Sequence, residues 1–259
     1  MSVFTGASLA RAAAIVAFAA TGACSLALPA RAAAGPAVVP LPERIDYADP
    51  ALEIDDRPGR PFADRAAAVA DFRERLGGTA TRVDVVAGPA PLGDYRFSAV
   101  TGMHASAPAR SGSALIVQHR RSGRAWIVFG IFVDQGLGTA GRAEFFDSPA
   151  GPWIRMPVRL SGTGALHHDF HFLWRDGMLQ EIDTQSWLQT LRLEPLGFAA
   201  GAGIWKGVTV NPENFTARTA VWQRGDANCC PSGGAVEVEL ELRDRVMVVK
   251  RAVAQRSIR

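Results

Sequence analysis

Cysteine is almost missing from this chain: three occur in 259 residues, at positions 24, 229 and 230. An excess of charge is missing too. The net charge of +3 falls to +1 once Arg11 and Arg31, both in the N-terminal segment discussed below, are set aside. So small a balance gives no electrostatic footprint for nucleic acid or for an anionic membrane. Beyond residue 34 no apolar run approaches the roughly 20 residues that a spanning helix needs. There is no Gly-x-Ser-x-Gly, no Walker loop and no His-Glu-x-x-His, so no catalytic signature stands out. With 48% apolar and 20% charged residues, the chain is neither disordered nor collagen-like. It is long enough for one substantial core or two small ones.

What the chain does have begins with a leader. Arg11 precedes an apolar run over 12–28, Pro29 breaks it, and Ala30-Arg31-Ala32 supplies a small-x-small cleavage site, with Ala32-Ala33-Ala34 as a second option. This is the three-part pattern of a secretory signal peptide. Residues 1–34 are therefore expected to be removed near Ala32 or Ala34, giving a periplasmic or secreted protein without a transmembrane helix. Lipid anchoring through Cys24 is disfavoured, because Thr21-Gly22-Ala23 departs from a leucine-led lipobox. Cleavage leaves two cysteines, neighbours in sequence, in an oxidising compartment.

Residues 35–60 carry five prolines and read as an extended lead-in with little regular structure. From Pro61 the pattern is helical, with Phe62, Ala66, Val69, Phe72 and Leu76 near one face and Gly77 and Gly78 as the stop. Strands are expected over 81–86, 95–100, 114–119, 124–134, 143–146 and 153–160. The strand over 124–134 is apolar on both faces, with Ile127, Phe129 and Ile131 on one and Trp126, Val128 and Phe132 on the other. Such a strand belongs inside a covered sheet. Further strands over 166–174 and 178–182 flank Arg175-Asp176-Gly177, a hairpin signal. Asp183 or Thr184 then caps a short helix bearing Trp187, Leu188 and Leu191. Strands over 204–210 and 215–222 follow. In the closing hairpin Val236, Val238, Leu240 and Leu242 alternate with charged residues before a turn at Arg243 and Asp244. The expected fold is α+β, predominantly antiparallel sheet with two short helices. It forms a single domain over 61–259, with a division into lobes 61–165 and 166–259 as the variant.

The densest stretch runs from Trp222 to Gly234 and holds Cys229 and Cys230. Adjacent Cα atoms lie about 3.8 Å apart across a trans peptide, closer than the roughly 4.4–6.8 Å of an ordinary disulfide. A bond between them closes a small ring, and its value is local geometry rather than loop-closure entropy. Pro231 holds Cys230 extended, and Gly233 and Gly234 let the chain turn back. A structural disulfide that stiffens the loop leads. Thiol exchange, metal binding and intermolecular pairing are the other readings. Asp226, Asn228 and Trp222 are the residues that would share a ligand surface with it. The run Gly225-Asp226-Ala227-Asn228-Cys229-Cys230-Pro231-Ser232-Gly233-Gly234, with the alternating strand after it, resembles the tail of bacterial secreted proteins and lipoproteins of unassigned function. It is similar to the LppP/LprE-type lipoproteins of actinobacteria over about 25 residues. The resemblance implies an envelope or secreted location and brings no activity or cofactor with it.

The remaining clusters are weaker. On a strand, His167, Asp169 and His171 share one face, where two imidazoles and a carboxylate are a ligand set for a transition metal. An exposed polar face is the plainer alternative. Gly136-Leu137-Gly138-Thr139-Ala140-Gly141 has dinucleotide spacing, but a short strand follows where that motif needs a helix, so it reads as a loop. His119-Arg120-Arg121 with Arg124 makes a basic hairpin tip, read as solvated rather than as an anion site. The six tryptophans read mostly as core, with one or two open to lining a groove next to the cysteine loop. Together these features describe an exported, non-catalytic binding or structural protein whose partner is an envelope ligand or protein. A metalloprotein using His167, Asp169 and His171 is the first alternative, and a thiol-redox protein the second.

Overall fold

The computed structural model describes residues 53–54, 59–78, 81–88, 91–104, 110–134, 137–161 and 168–255. Residues 1–34, read from the sequence as a signal peptide, and with them Cys24, most of the Pro-rich lead-in and His167 lie outside them. Strands β1 (Glu53–Ile54) and β2 (Pro61–Phe62) line one edge of a six-stranded antiparallel sheet. After helix α1 (Arg65–Arg75), the sheet continues with β3 (Thr81–Ala87), β4 (Tyr95–His104), β5 (Arg110–His119) and β6 (Ala125–Asp134). Its spatial order is β1–β6–β5–β4–β3, with β2 also on β6.

The helix starts later than its pattern suggests. Pro61, which has no N–H to give a ladder, sits in a two-residue strand against Trp126. Asp64 is the true cap: its backbone is extended and its side chain accepts the Ala67 N–H at 2.9 Å. Ala68, Phe72 and Leu76 face inward, while Ala66, placed on the apolar face by its spacing, is exposed. The helix seats closely because the sheet beneath it carries glycine. A Cβ on Gly102 would meet Leu76 at 2.6 Å, and one on Gly112 would meet Phe132 at 2.9 Å.

Every residue of β6 except Asp134 is buried, as a strand covered on both faces requires. The two faces differ from simple alternation, however. The register slips between Leu115 and Ile116, which pair with Phe129 and Ile127, so Val128 is an extra residue in a β-bulge. Side chains beyond the bulge therefore change sides. Ala125, Ile127 and Phe132 pack toward α1, whereas Phe129 turns to the opposite face and meets Phe170 and Phe172 at 5.0 and 4.9 Å.

Those two phenylalanines belong to a second antiparallel sheet. The strands that follow β6 are β7 (Gly138–Ala140), β8 (Glu144–Ser148), β9 (Gly151–Met156), β10 (Val158–Leu160), β11 (Phe170–Arg175) and β12 (Met178–Ile182). The sheet order is β12–β11–β9–β8, and β7 pairs with β10 in a separate ribbon. The glycine-rich loop thus contributes a short strand, with Glu144–Ser148, another strand, after it rather than a helix. The span expected as one strand over 153–160 breaks at Pro157. Because β9 pairs with β11, this sheet crosses the boundary drawn at residue 165. The Arg175–Gly177 turn has φ of 53° at Asp176 and 76° at Gly177, the left-handed pair that a type I′ hairpin needs.

The far face of the second sheet contributes Trp153 and Leu173 to a core completed by the C-terminal elements. These are α2 (Trp187–Thr190), β13 (Val210–Asn211), β14 (Thr216–Ala220), β15 (Ala235–Arg243) and β16 (Val246–Gln255), the strands in that spatial order. Val236, Val238 and Leu240 are buried, as their alternation requires. The strand expected over 204–210 is reduced to Val210–Asn211; residues 204–209 are irregular and lead into it. The whole is a mixed α+β fold dominated by antiparallel sheet with two short helices. No helix among the described residues is long and apolar enough to cross a membrane.

Candidate functional site

Cys229 and Cys230 are joined to each other, with Cα atoms 3.8 Å apart, the spacing of a trans peptide. Both are exposed, on the loop between β14 and β15. The loop is clamped at its base, where Val221 donates to Gly234 at 3.0 Å and Gly233 donates back to Val221 at 2.9 Å. Gly233 must be glycine there, since a Cβ would stand 2.6 Å from the Val221 carbonyl.

Asp226 braces the interior of the loop. Its Oδ2 accepts the N–H groups of Gln223 at 2.7 Å and Ser232 at 2.8 Å, and its Oδ1 accepts the Ser232 hydroxyl at 2.7 Å. These bonds, the Gln223 N–H first, hold its carboxyl below the ordinary carboxylate range. Bracing thus depends on a charge, and a carboxylate with three donors already engaged is a scaffold rather than a free ligand group. Asp226→Ala is expected to loosen the loop. Protection of the Ser232 amide, relative to its intrinsic exchange rate, should fall in the variant, and in the native protein it should fall only as pH drops through the lowered Asp226 pKa. An unchanged Ser232 exchange rate in Asp226→Ala would remove this role.

Trp222 lies beneath the loop, not on its surface. It is 2% exposed, and its Nε1–H donates to the Ala227 carbonyl at 3.2 Å. The same carbonyl accepts the Cys230 N–H at 2.9 Å, so the cysteine turn hangs from one oxygen seated on an indole. Trp205 stacks on Trp222 at 6.0 Å between centroids, and the Lys206 ammonium stands 5.6 Å from the Trp222 ring. Trp205 is 42% exposed, in contrast to Trp126, Trp153 and Trp187, which are core as expected, and to Trp222, expected at a ligand surface and buried instead. Trp205 falls in the irregular 204–209 segment, where the sequence predicts a strand, and stands beside the cysteine loop, where one or two tryptophans are expected to line a groove. Asn228 is exposed beside the cysteines.

The histidine strand goes elsewhere. His171 lies on β11 opposite Arg155 of β9, facing the core shared with the C-terminal sheet, and is fully buried. Its Nδ1 accepts the Trp153 Nε1–H at 2.9 Å, which assigns the proton to Nε2. Burial first, and the charge of Arg155 second, push its pKa down to about 3. Asp169 is also buried, and its Oδ2 accepts the Thr209 hydroxyl at 3.2 Å. His167 lies outside the described residues. Among those described, no group of three or more His, Cys, Asp or Glu side chains is placed to hold a metal ion. With Nδ1 engaged by an indole inside a closed core, His171 fits a structural imidazole and not a ligand. The cysteines, already bonded to each other, offer no thiolate to complete a metal set.

The chain matches no protein-family model, no curated protein and no solved structure.

Proposed function

We propose that the protein is exported and works in the cell envelope as a non-catalytic binding or structural component, presenting the Cys229–Cys230 loop as a stiff contact surface. The observation that carries this is a solvent-exposed bond between neighbouring cysteines, held out from the sheet by Asp226 and by the Trp222 indole. Thioredoxin and glutathione keep exposed cytosolic thiols reduced, so such a bond belongs in an oxidising compartment. The leader pattern over 1–34 and the resemblance of the 225–234 tail to secreted lipoproteins support the same address. Bracing from the backbone, rather than a helix N-terminus that would lower a thiol pKa, supports a structural over an exchanging disulfide.

The test is intact mass and N-terminal sequencing of protein recovered from the native host. The expected species begins just after Ala32 or Ala34, lacks the two thiol hydrogens, and takes up alkylating reagent at Cys229 and Cys230 only after reduction. An uncut leader, or two thiols that alkylate without reductant, would overturn the proposal. Rapid opening by a mild dithiol would move the assignment to thiol exchange.

A further inference from the structure

The basic hairpin tip at Arg120 and Arg121 gains a neighbour in the fold that its sequence does not announce. On β4, Arg96 stands directly across from Gln118 of β5. Arg96, Gln118, Arg120, Arg121 and Asp94 together wall a cavity of about 420 Å³. A second cavity of about 320 Å³ shares Arg96 and Gln118 and adds Arg65 from the first turn of α1, with Pro91, Ala87 and Gly88 along its wall.

The charges here are poorly compensated. Arg121 faces Asp94 at 3.6 Å, with both side chains more than half exposed, an arrangement of small energetic weight. Neither Arg96 nor Arg120 has an ion-pair partner among the described residues, and nor has Arg65. Arg65 is also at the positive end of a helix dipole, an unfavourable place for a cation in the absence of an anion. The fold has thus gathered guanidinium groups from strand β4 (Arg96), the β5–β6 turn (Arg120 and Arg121) and helix α1 (Arg65) around two cavities that share Arg96 and Gln118. Sequence alone reads the tip as solvated, because Arg96 and Arg65 are distant along the chain.

We propose that this surface binds a phosphomonoester, with its dianionic phosphate between Arg96, Arg120 and Arg121 and the group that carries it in the adjoining cavity. Three guanidinium groups against one carboxylate leave two positive charges on the first cavity, which a dianion balances and a single carboxylate does not. Guanidinium forks match the paired oxygens of a phosphate. The adjoining cavity adds room beyond a phosphate, and Pro91 and Ala87 give it an apolar edge for an organic body. The surface is built from α1, β4 and the residues just before it, and β5 with the turn that follows it, and it is separate from the cysteine loop and the function proposed for that loop.

Titration calorimetry or chemical-shift titration at fixed ionic strength and about pH 8 tests it. Phenyl phosphate, a dianion there, is compared with phenyl sulfate, a monoanion of the same shape, and with inorganic phosphate. Phenyl phosphate is expected to bind saturably and at least tenfold tighter than phenyl sulfate. Arg96→Gln and Arg120→Gln should each weaken it about tenfold or more, the usual loss for a charge-assisted hydrogen bond. Asp94→Asn should tighten it, and Arg251→Gln, on the C-terminal sheet, should leave it unchanged. Inorganic phosphate binding as tightly as phenyl phosphate would retain the dianion site but overturn the role of the second cavity. Equal binding of sulfate and phosphate esters, no saturable binding at millimolar phenyl phosphate, or native affinity in both arginine variants would overturn the site itself. These substitutions are all on exposed side chains, so loss of folding does not confuse the outcome.

Discussion

Between pH 6.5 and 4.5 the protein is expected to lose about 2 kcal/mol of stability through His171 alone. The folded state holds this imidazole neutral, with a pKa of about 3, against 6.5 in an unfolded chain. Within that interval the unfolded state binds a proton that the folded state refuses, so stability rises with pH and is complete about one pH unit above the unfolded pKa. As pH falls it drains away until both states are protonated near pH 3, for a total of about 5 kcal/mol. The upper half of the window is diagnostic, since carboxylates of an unfolded chain titrate mainly below it. Urea unfolding at several pH values between 7.5 and 4.5 measures the slope. His171→Asn can still accept the Trp153 N–H but does not titrate, so its stability should be flatter over the same range. An acid limb with the same slope in the variant would show that His171 is not the proton-excluding group.

The same residue shows where the sequence stops being legible. Alternation along 166–174 correctly sets His171 against Phe170 and Phe172, yet it cannot say whether the polar face is wet. Here it is dry, because the second sheet is sandwiched: Phe172 meets the first sheet and Trp153 meets the C-terminal core. Strands with one clean apolar face, such as Ala235–Arg243, and turns with obligate left-handed residues, such as Asp176 and Gly177, were readable because local chemistry decides them. The bulge at Val128 was not, since a one-residue slip between partners leaves no mark in either strand's own composition. Nor were the two-residue strands β1 and β2, which exist only because β6 offers them an edge. At the candidate site, adjacency of Cys229 and Cys230 and the Pro231, Gly233 and Gly234 that follow were informative. The reach of Asp226 to Ser232 depends on how the loop closes, and Arg96 joins Arg120 only through strand pairing.

Replacing Trp222 by alanine is expected to cost about 3–5 kcal/mol, the range for emptying a buried aromatic site, and to free the cysteine loop as well. Three contacts depend on the indole: the hydrogen bond to Ala227, the stack with Trp205 and the Lys206 ammonium over its face. The cavity would open directly below the carbonyl from which the Cys230 turn hangs, so protection of the Cys230 and Gly233 amides should fall with stability. Trp222→Phe separates the two effects. It keeps most of the apolar volume and loses only the indole N–H, a change of about 1 kcal/mol. The Ala227 carbonyl keeps the Cys230 N–H, so no acceptor is left bare. Trp205→Ala is the outer control, because this ring is 42% exposed and roofs the stack without filling the core; it should cost under about 1 kcal/mol. Urea midpoints and amide exchange for the three variants give the order Trp222→Ala, Trp222→Phe, Trp205→Ala. If Trp222→Ala costs no more than Trp205→Ala, or leaves the Cys230 amide as protected as before, then the disulfide loop does not rest on the indole and its stiffness has another source.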